Sequence, residues 1–377
     1  MDRTIGEYLT LAAIGIVMLL FVFGITWYLG RFSVHEARFA NQLDLQLYPG
    51  QILELDLTGV ELEVVAIDPE ADPEAQSSAS FETIATGRGE DAAEDLVASE
   101  PVWSPRATGG QIKWKAELDD LALARGTGRD RLGRLKLEIP PGVYVRVVST
   151  LGCHFSGDFG DANLACQTEE GSATINGKAR SLQFDALIGE IEVLLDGYVG
   201  WVNTSNSRGD TLLVGSIGEL EARSGSGAIR AQLETPPISA NLVSKEGEIV
   251  ASGLAGKVRA QSETGMVRLA LYTLESDDSV VITTESGNIE LFLAPEVEAE
   301  LSAISELGTV KAAGIKKSML GEEFKIEPRS PSAAEVTIRS RSGAVNLLAQ
   351  DTIDPLVEPS LAAEGTPASK LDSRPGR

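Results

Sequence analysis

Few side chains in this sequence suit covalent or metal chemistry. The only histidines are His35 and His154, and the only cysteines are Cys153 and Cys166. That is too sparse for the four-ligand set of a structural zinc site, so no metal and no cofactor is expected. Hydroxyls recur instead, each three residues before a glycine: Ser149, Thr168, Ser224, Ser244, Ser262, Thr284, Ser305 and Ser340. A nucleophilic serine needs a base beside it, and two histidines cannot serve eight positions. The column therefore predicts a structural ladder in which hydroxyls satisfy turn backbone groups, and no catalytic residue is assigned.

Other candidates are weaker. Glu190 and Asp210 each follow one of the recurring glycines, and carboxylates repeated on one exposed face would suit a β-helical enzyme acting on polysaccharides. Ala228 comes next in that column, so the pair does not extend. Asp277 and Asp278 in LESDDSV supply too few oxygens to hold calcium alone. Tyr198 and Trp201, in DGYVGWVNTSNSRGD, offer either an aromatic shelf for a sugar or a cover for the core. The basic connection ARGTGRDRLGR, Ala124 to Arg134, suits an anionic group or a solvated turn.

The elements that must position these residues repeat. Marker glycines stand at Gly152, Gly171, Gly189, Gly209, Gly227, Gly247, Gly265, Gly287, Gly308 and Gly343. Except before the last, they are spaced by roughly 20 residues, the period of a stacked repeat. Seven residues before each glycine the chain has Val145, Leu164, Leu182, Val202, Leu220, Ala240, Val258, Val280, Leu301 and Val336; the columns five before and two after are also mainly apolar. Three after, the residues are mostly polar. Period-two alternation on both sides of a glycine means strand, tight turn, strand. The predicted fold is all-β: a single-chain β-solenoid of about ten coils, the glycine permitting a positive φ or close packing at each bend.

Register predicts that Cys166 faces inward and Cys153 outward, which favours two unpaired thiols. A bridge needs the first coil to slip by one residue, and GCHF permits that, with Phe155 turning in and His154 out.

The ends differ from the repeat. Tyr8 to Gly30, YLTLAAIGIVMLLFVFGITWYLG, carries no charge and has the length of a bilayer-spanning helix, with Tyr8, Trp27 and Tyr28 at the interfaces. A cleaved signal peptide would be shorter and end in small residues. The expected organisation is a short segment 1–7, a transmembrane helix 8–30, and a juxtamembrane segment 31–42 that continues helically from His35 to Gln42. A β region 43–142 follows as a cap, with an acidic loop at about 66–100. Solenoid repeats occupy 143–349 with an insertion at about 314–335 covering the last coil, before a disordered tail 350–377 rich in proline and small residues.

Net charge is -24, which argues against a nucleic-acid partner, since phosphate backbones need a basic surface. Basic residues flank the apolar segment on both sides, so charge does not orient it.

The run LKLEIPPGVYVRVVSTLG, with units such as VRAQSETGMVRL and VVITTESGNIELFL, resembles a bacterial β-strand-repeat family labelled "putative adhesin". The resemblance covers Leu135 to Leu348. It implies a β-solenoid at the bacterial envelope behind a membrane segment, with the large domain outside the cytoplasm, and brings no catalytic residues. The expected function is a membrane-anchored, non-catalytic envelope protein used for adhesion, assembly or envelope-stress signalling, with an envelope protein or glycan as partner. A cytoplasm-facing polymerising scaffold is the alternative, and a polysaccharide-acting enzyme a further one.

Overall fold

The computed structural model describes residues 34–71, 75–88, 106–108, 111–117, 130–294, 297–312, 315–317, 323–326 and 333–349. The expected transmembrane helix and C-terminal tail lie outside the described residues. Those described form strands and turns with no helix, in two compact units, Met1–Ile188 and Gly189–Arg377.

Unit 1 contains β1 (Val34–Asp44), β2 (Ile52–Thr58), β3 (Val60–Ala66), β4 (Ser78–Arg88), β5 (Arg106–Thr108), β6 (Gln111–Glu117), β7 (Asp130–Ile139), β8 (Tyr144–Ser149), β9 (Cys153–Asp158), β10 (Asn163–Glu170), β11 (Ala173–Lys178) and β12 (Ser181–Ile188). Pairing is parallel and in register between strands one repeat apart. Leu164 of β10 partners Val145 of β8 on one side and Leu182 of β12 on the other. These are successive members of the column seven before the glycine, and all three are buried. Inward residues therefore stack on their own equivalents, which is why a column can stay apolar from repeat to repeat.

The first two repeats depart from chain order. The pair β2/β3 lies between β6/β7 and β8/β9: β2 pairs in parallel with β6 and β8, and β3 with β7 and β9. The outer side is closed by antiparallel strands, β4 on β7, β1 on β4 and β5 on β6. So the stretch expected to continue helically from His35 to Gln42 is instead part of β1, because the free edge of β4 offers it backbone partners along the whole strand. Likewise Ser78–Arg88, expected within a loop, is strand β4. Its period-two set Ala79, Phe81 and Thr83 is buried, and the surrounding carboxylates had masked that alternation.

Unit 2 contains β13 (Ile191–Arg208), β14 (Thr211–Ser226), β15 (Ile229–Thr235), β16 (Ser239–Ser244), β17 (Ile249–Leu254), β18 (Lys257–Ser262), β19 (Val267–Leu271), β20 (Ser279–Thr284), β21 (Ile289–Leu293), β22 (Ala299–Ser305), β23 (Val310–Ala312), β24 (Ile315–Lys317), β25 (Phe324–Ile326), β26 (Ala334–Ser340) and β27 (Val345–Ala349). Parallel pairing again links each strand to the one a repeat on, from β14 through β16, β18 and β20, and from β15 through β17, β19 and β21. At the far end chain order breaks once more. The last pair, β26/β27, inserts between β20/β21 and β22/β23. The insertion expected to cover the last coil supplies β24 and β25, which run antiparallel on β23 and β22.

The marker glycines serve two needs. Gly227 takes φ +137°, a region costly for any residue with a Cβ. Gly265 has no such φ, but a Cβ there would run into the carbonyl oxygen of Gly247 one repeat earlier. Close stacking, rather than backbone handedness, demands glycine in the later turns.

Candidate functional site

Register at β9 is shifted by one residue. Cys153 pairs with Ala173 and Phe155 with Ile175, so Cys153 and Phe155 are buried while His154 is turned out. Cys153 and Cys166 are joined by a disulfide, with Cα atoms 6.9 Å apart. This corrects the expectation of an outward Cys153 and two unpaired thiols. The cause is Phe155, which takes the inward place and packs on Phe159 and Phe184 at centroid distances of 6.1 and 5.7 Å. A phenyl ring buries far more apolar surface than the imidazole it displaces.

The shift brings His154 into a charged array on the outer face of unit 1. Inward residues of β2, β3, β6 and β7 are apolar, and the outward ones alternate in sign from strand to strand. On one face Glu54 of β2 lies in register between Lys113 of β6 and Arg146 of β8. On the other, Glu63 of β3 lies between Lys136 of β7 and His154 of β9, and Glu61 partners Arg134. Contacts follow: Lys113 Nζ to Glu54 Oε2 at 2.6 Å, Arg134 Nε to Glu61 Oε2 at 3.4 Å, and His154 Nε2 to Glu61 Oε1 at 3.4 Å. His154 Nδ1 is 2.8 Å from Thr174 Oγ1 on β11. With Nε2 turned to a carboxylate, the consistent tautomer protonates Nε2 and lets Nδ1 accept the Thr174 hydroxyl proton.

A shallow cavity of about 390 Å³ lies over this array, and a second of about 560 Å³ over the Lys113, Glu54 and Arg146 row. Thr174, His154 and Glu61 have the order hydroxyl, imidazole, carboxylate used in nucleophilic catalysis. They sit on an open sheet face, however, where the His154 side chain is 40% exposed and water competes for every proton. The arrangement is that of a cross-strand polar ladder. Lys136 also bonds Glu138 Oε1 at 3.0 Å, while Glu138 Oε2 accepts from Ser78 of β4 at 2.9 Å. The hydrogen bond from Lys136, then that from Ser78, holds the Glu138 carboxyl below its usual range, and the bond to Glu138 raises Lys136.

Seven of the eight recurring hydroxyls bond turn backbone groups. Ser262 Oγ accepts from Gly265 N at 2.8 Å and donates to Gly247 O, one repeat earlier, at 3.2 Å. Ser305 and Ser340 do the same for Gly308 and Gly343, donating to Gly343 O and Gly287 O. Ser149 donates to Val60 O, Thr168 to Gly171 O and Ser224 to Gly227 O, and Thr284 accepts from Gly287 N. Ser244 departs from the pattern, its Oγ being buried without a hydrogen-bond partner among the described residues.

The remaining candidates separate. Tyr198 and Trp201 lie on β13 either side of Gly200, with Val199 and Val202 buried. Tyr198 is 58% exposed and its hydroxyl lies over Gly218, whose missing Cβ makes room for it. Trp201 is half-buried. Asp210 is committed to structure, accepting from Ala228 N at 2.8 Å and pairing with Arg230 at 3.0 Å. Asp278 caps its own turn by accepting from Glu275 N at 2.7 Å. Among the described residues no group of three or more His, Cys, Asp or Glu side chains could hold a metal ion. Of the basic connection, Arg134 is a ladder residue.

Comparison with known proteins gives a likeness of structure alone. No family model matches the chain, and no curated relative does. Solved structures with which it aligns include a putative cell adhesion protein from Clostridium sporogenes (10% identity, TM-score 0.20, 83% of this chain and 100% of that one). Two putative adhesins also align. One is from Bacteroides fragilis (11% identity, TM-score 0.29, 83% and 97%), the other from Parabacteroides merdae (9%, 0.32, 82% and 96%). Their names match the family that the repeat pattern resembles. At TM-scores this low they say nothing about chemistry or partners.

Proposed function

We propose that the chain is a single-pass bacterial membrane protein whose strand pairs stack as a β-solenoid outside the cytoplasm, and that it works without catalysis, by presenting surface for adhesion or envelope assembly. The disulfide carries this reading. Such bonds persist in oxidising compartments and are rare in the cytoplasm, and Cys153 and Cys166 are both buried, so the bond is structural rather than a reactive exchange site. An apolar segment at residues 8–30 would hold the solenoid at the membrane face.

Two observations speak for surface rather than turnover. The carboxylate pair Glu190 and Asp210 is not a free acid and base, because Asp210 is engaged with Ala228 and Arg230. The outer strand pairs β6/β7 and β22/β23 each carry antiparallel strands on their exposed side, which blunts end-to-end polymerisation of the scaffold kind.

The test is topology. A reporter active only outside the cytoplasm, fused to the carboxyl end, should give signal, while a cytoplasm-only reporter should not. The cysteines should resist alkylation in intact cells until reductant and denaturant are added. A cytoplasmic signal overturns the proposal and turns the search to intracellular assembly.

A further inference from the structure

One repeat of unit 2 is polar inside. In the pair closed by Gly209 the three inward positions around the turn are Thr204, Asn206 and Thr211, with relative exposures of 0, 2 and 0%. The next repeat has Ala222, Ser224 and Ile229 at these places, and the one after it Leu242, Ser244 and Ile249. Two hydroxyls and an amide thus replace what is elsewhere mostly hydrocarbon.

Their hydrogen bonding is incomplete in a specific way. Asn206 Nδ2 donates to Gly189 O at 2.8 Å and lies 3.4 Å from Asp210 O, which fixes the amide and settles which atom is left over. That atom, Asn206 Oδ1, is buried with no hydrogen-bond partner among the described residues, and so are Thr204 Oγ1 and Thr211 Oγ1. Asn206 and Thr211 flank the same glycine turn on its inner side, and Thr204 is the next inward residue along β13. Beside Thr204, the register partner on β14 is only a methyl group, Ala222.

We propose that the strand pair closed by Gly209 binds an internal water molecule through Thr204 Oγ1, Asn206 Oδ1 and Thr211 Oγ1. Three otherwise unsatisfied polar atoms are the usual complement of a buried water, and leaving them unpaired would cost far more than ordering one solvent molecule. The chemistry selects a neutral ligand that both donates and accepts. Asn206 Oδ1 only accepts, while a threonine hydroxyl does either. The water supplies a proton to the amide oxygen and receives one from a hydroxyl, so the polar triad becomes a closed network instead of three separate penalties.

Near-isosteric substitution gives the test its sign. In the full-length protein, Thr211→Val and Thr204→Val should each lower the melting temperature by several degrees, as should the reference Thr168→Val, whose hydroxyl bonds Gly171 O. Replacing a dry, unpaired hydroxyl by a methyl removes a desolvation penalty, so an unchanged or raised melting temperature in both site variants overturns the proposal. A high-resolution crystal structure of the full chain decides independently. Expected is a solvent peak within hydrogen-bond distance of all three atoms, lost in Thr211→Val; side chains that close on one another with no peak overturn it.

Discussion

Glu61 on β3 and Arg134 on β7 are ion-paired at 3.4 Å, although β4, β5 and β6 lie between them in the chain. The pair belongs to a pattern. The outward side chains Glu54, Asp56, Glu61 and Glu63 make β2/β3 acidic, and the strands on either side present Lys113, Lys115, Arg134 and Lys136, or Arg146 and His154. An acidic strand between two basic ones satisfies both neighbours, whereas chain order would set β6 against β8, with Lys113 facing Arg146 in place of Glu54. Charge thus helps select the out-of-order stack. The double variant Glu61→Lys with Glu63→Lys should cost about 1–2 kcal/mol in denaturant unfolding, since each exposed pair is worth only ~0.2–1 kcal/mol and reversal adds repulsion. The loss should shrink in high salt, which screens exposed charges; a salt-independent loss would speak against electrostatic ordering.

This sorting marks where the sequence was legible and where it was not. The inward columns were readable because side-chain direction in a strand depends only on parity from a fixed turn, and the column from Val145 to Val336 is buried throughout. The slip at β9 was visible only as two options, and the size of Phe155 decides it. The positions of β2/β3 and β26/β27 were hidden, because identical periods make every repeat a plausible neighbour of every other. Thr174 joined to His154 and Glu61 was hidden for the same reason: the array exists only once β3, β9 and β11 lie side by side.

Ser305 and Ser340 should be expensive to remove. Each bonds a glycine N–H in its own turn and a glycine carbonyl in the next, so alanine leaves two buried backbone groups unpaired, at ~1–3 kcal/mol per substitution. Ser244→Ala should be nearly neutral, its hydroxyl having no partner among the described residues. Chemical denaturation of the three variants separates a working ladder from a preference for small residues, under which all three would behave alike.

Reduction should loosen unit 1. The disulfide closes a short loop, with Cys153 and Cys166 separated by 13 in sequence, for which the chain-entropy estimate is ~3 kcal/mol. Removing both cysteines by alanine should lower the stability of unit 1 by about 2–3 kcal/mol and abolish its response to reductant. A wild-type chain that unfolds at the same denaturant concentration with and without reductant would mean that the bond does not constrain unit 1.

Acid should weaken the hold of β4 on β7. The Glu138 carboxyl is held below its ordinary value, so its contribution is present above the usual carboxylate range and is lost as pH falls through its lowered folded-state value. Lys136, raised above its ordinary value, contributes below the usual amine range and is lost as pH rises through its raised value. Between those limits the Ser78, Glu138 and Lys136 chain supports the cap, by no more than ~1 kcal/mol for side chains this exposed. Glu138→Gln should flatten the acid limb of stability measured by thermal melts from neutral pH downward, lowering the neutral value toward the acid one and leaving the acid value little changed. A limb as steep as wild type would assign the acid response to other carboxylates.

Truncation after residue 333 should do more harm than its length suggests. It removes β26/β27, which is last in sequence but not in space: Ser340 donates to Gly287 O on one side while Gly343 O accepts from Ser305 on the other. Loss of a terminal repeat in an ordinary stack costs one interface. Here two are lost, and β22/β23 with its antiparallel cover of β24 and β25 is cut off from β20/β21. The truncated chain should therefore be cleaved by protease throughout residues 299–326 and should expose β20 and β21 as a new sheet edge prone to association. Protection of 299–326 after truncation would mean that β22/β23 can dock directly on β20/β21, as the order of the sequence alone would have it.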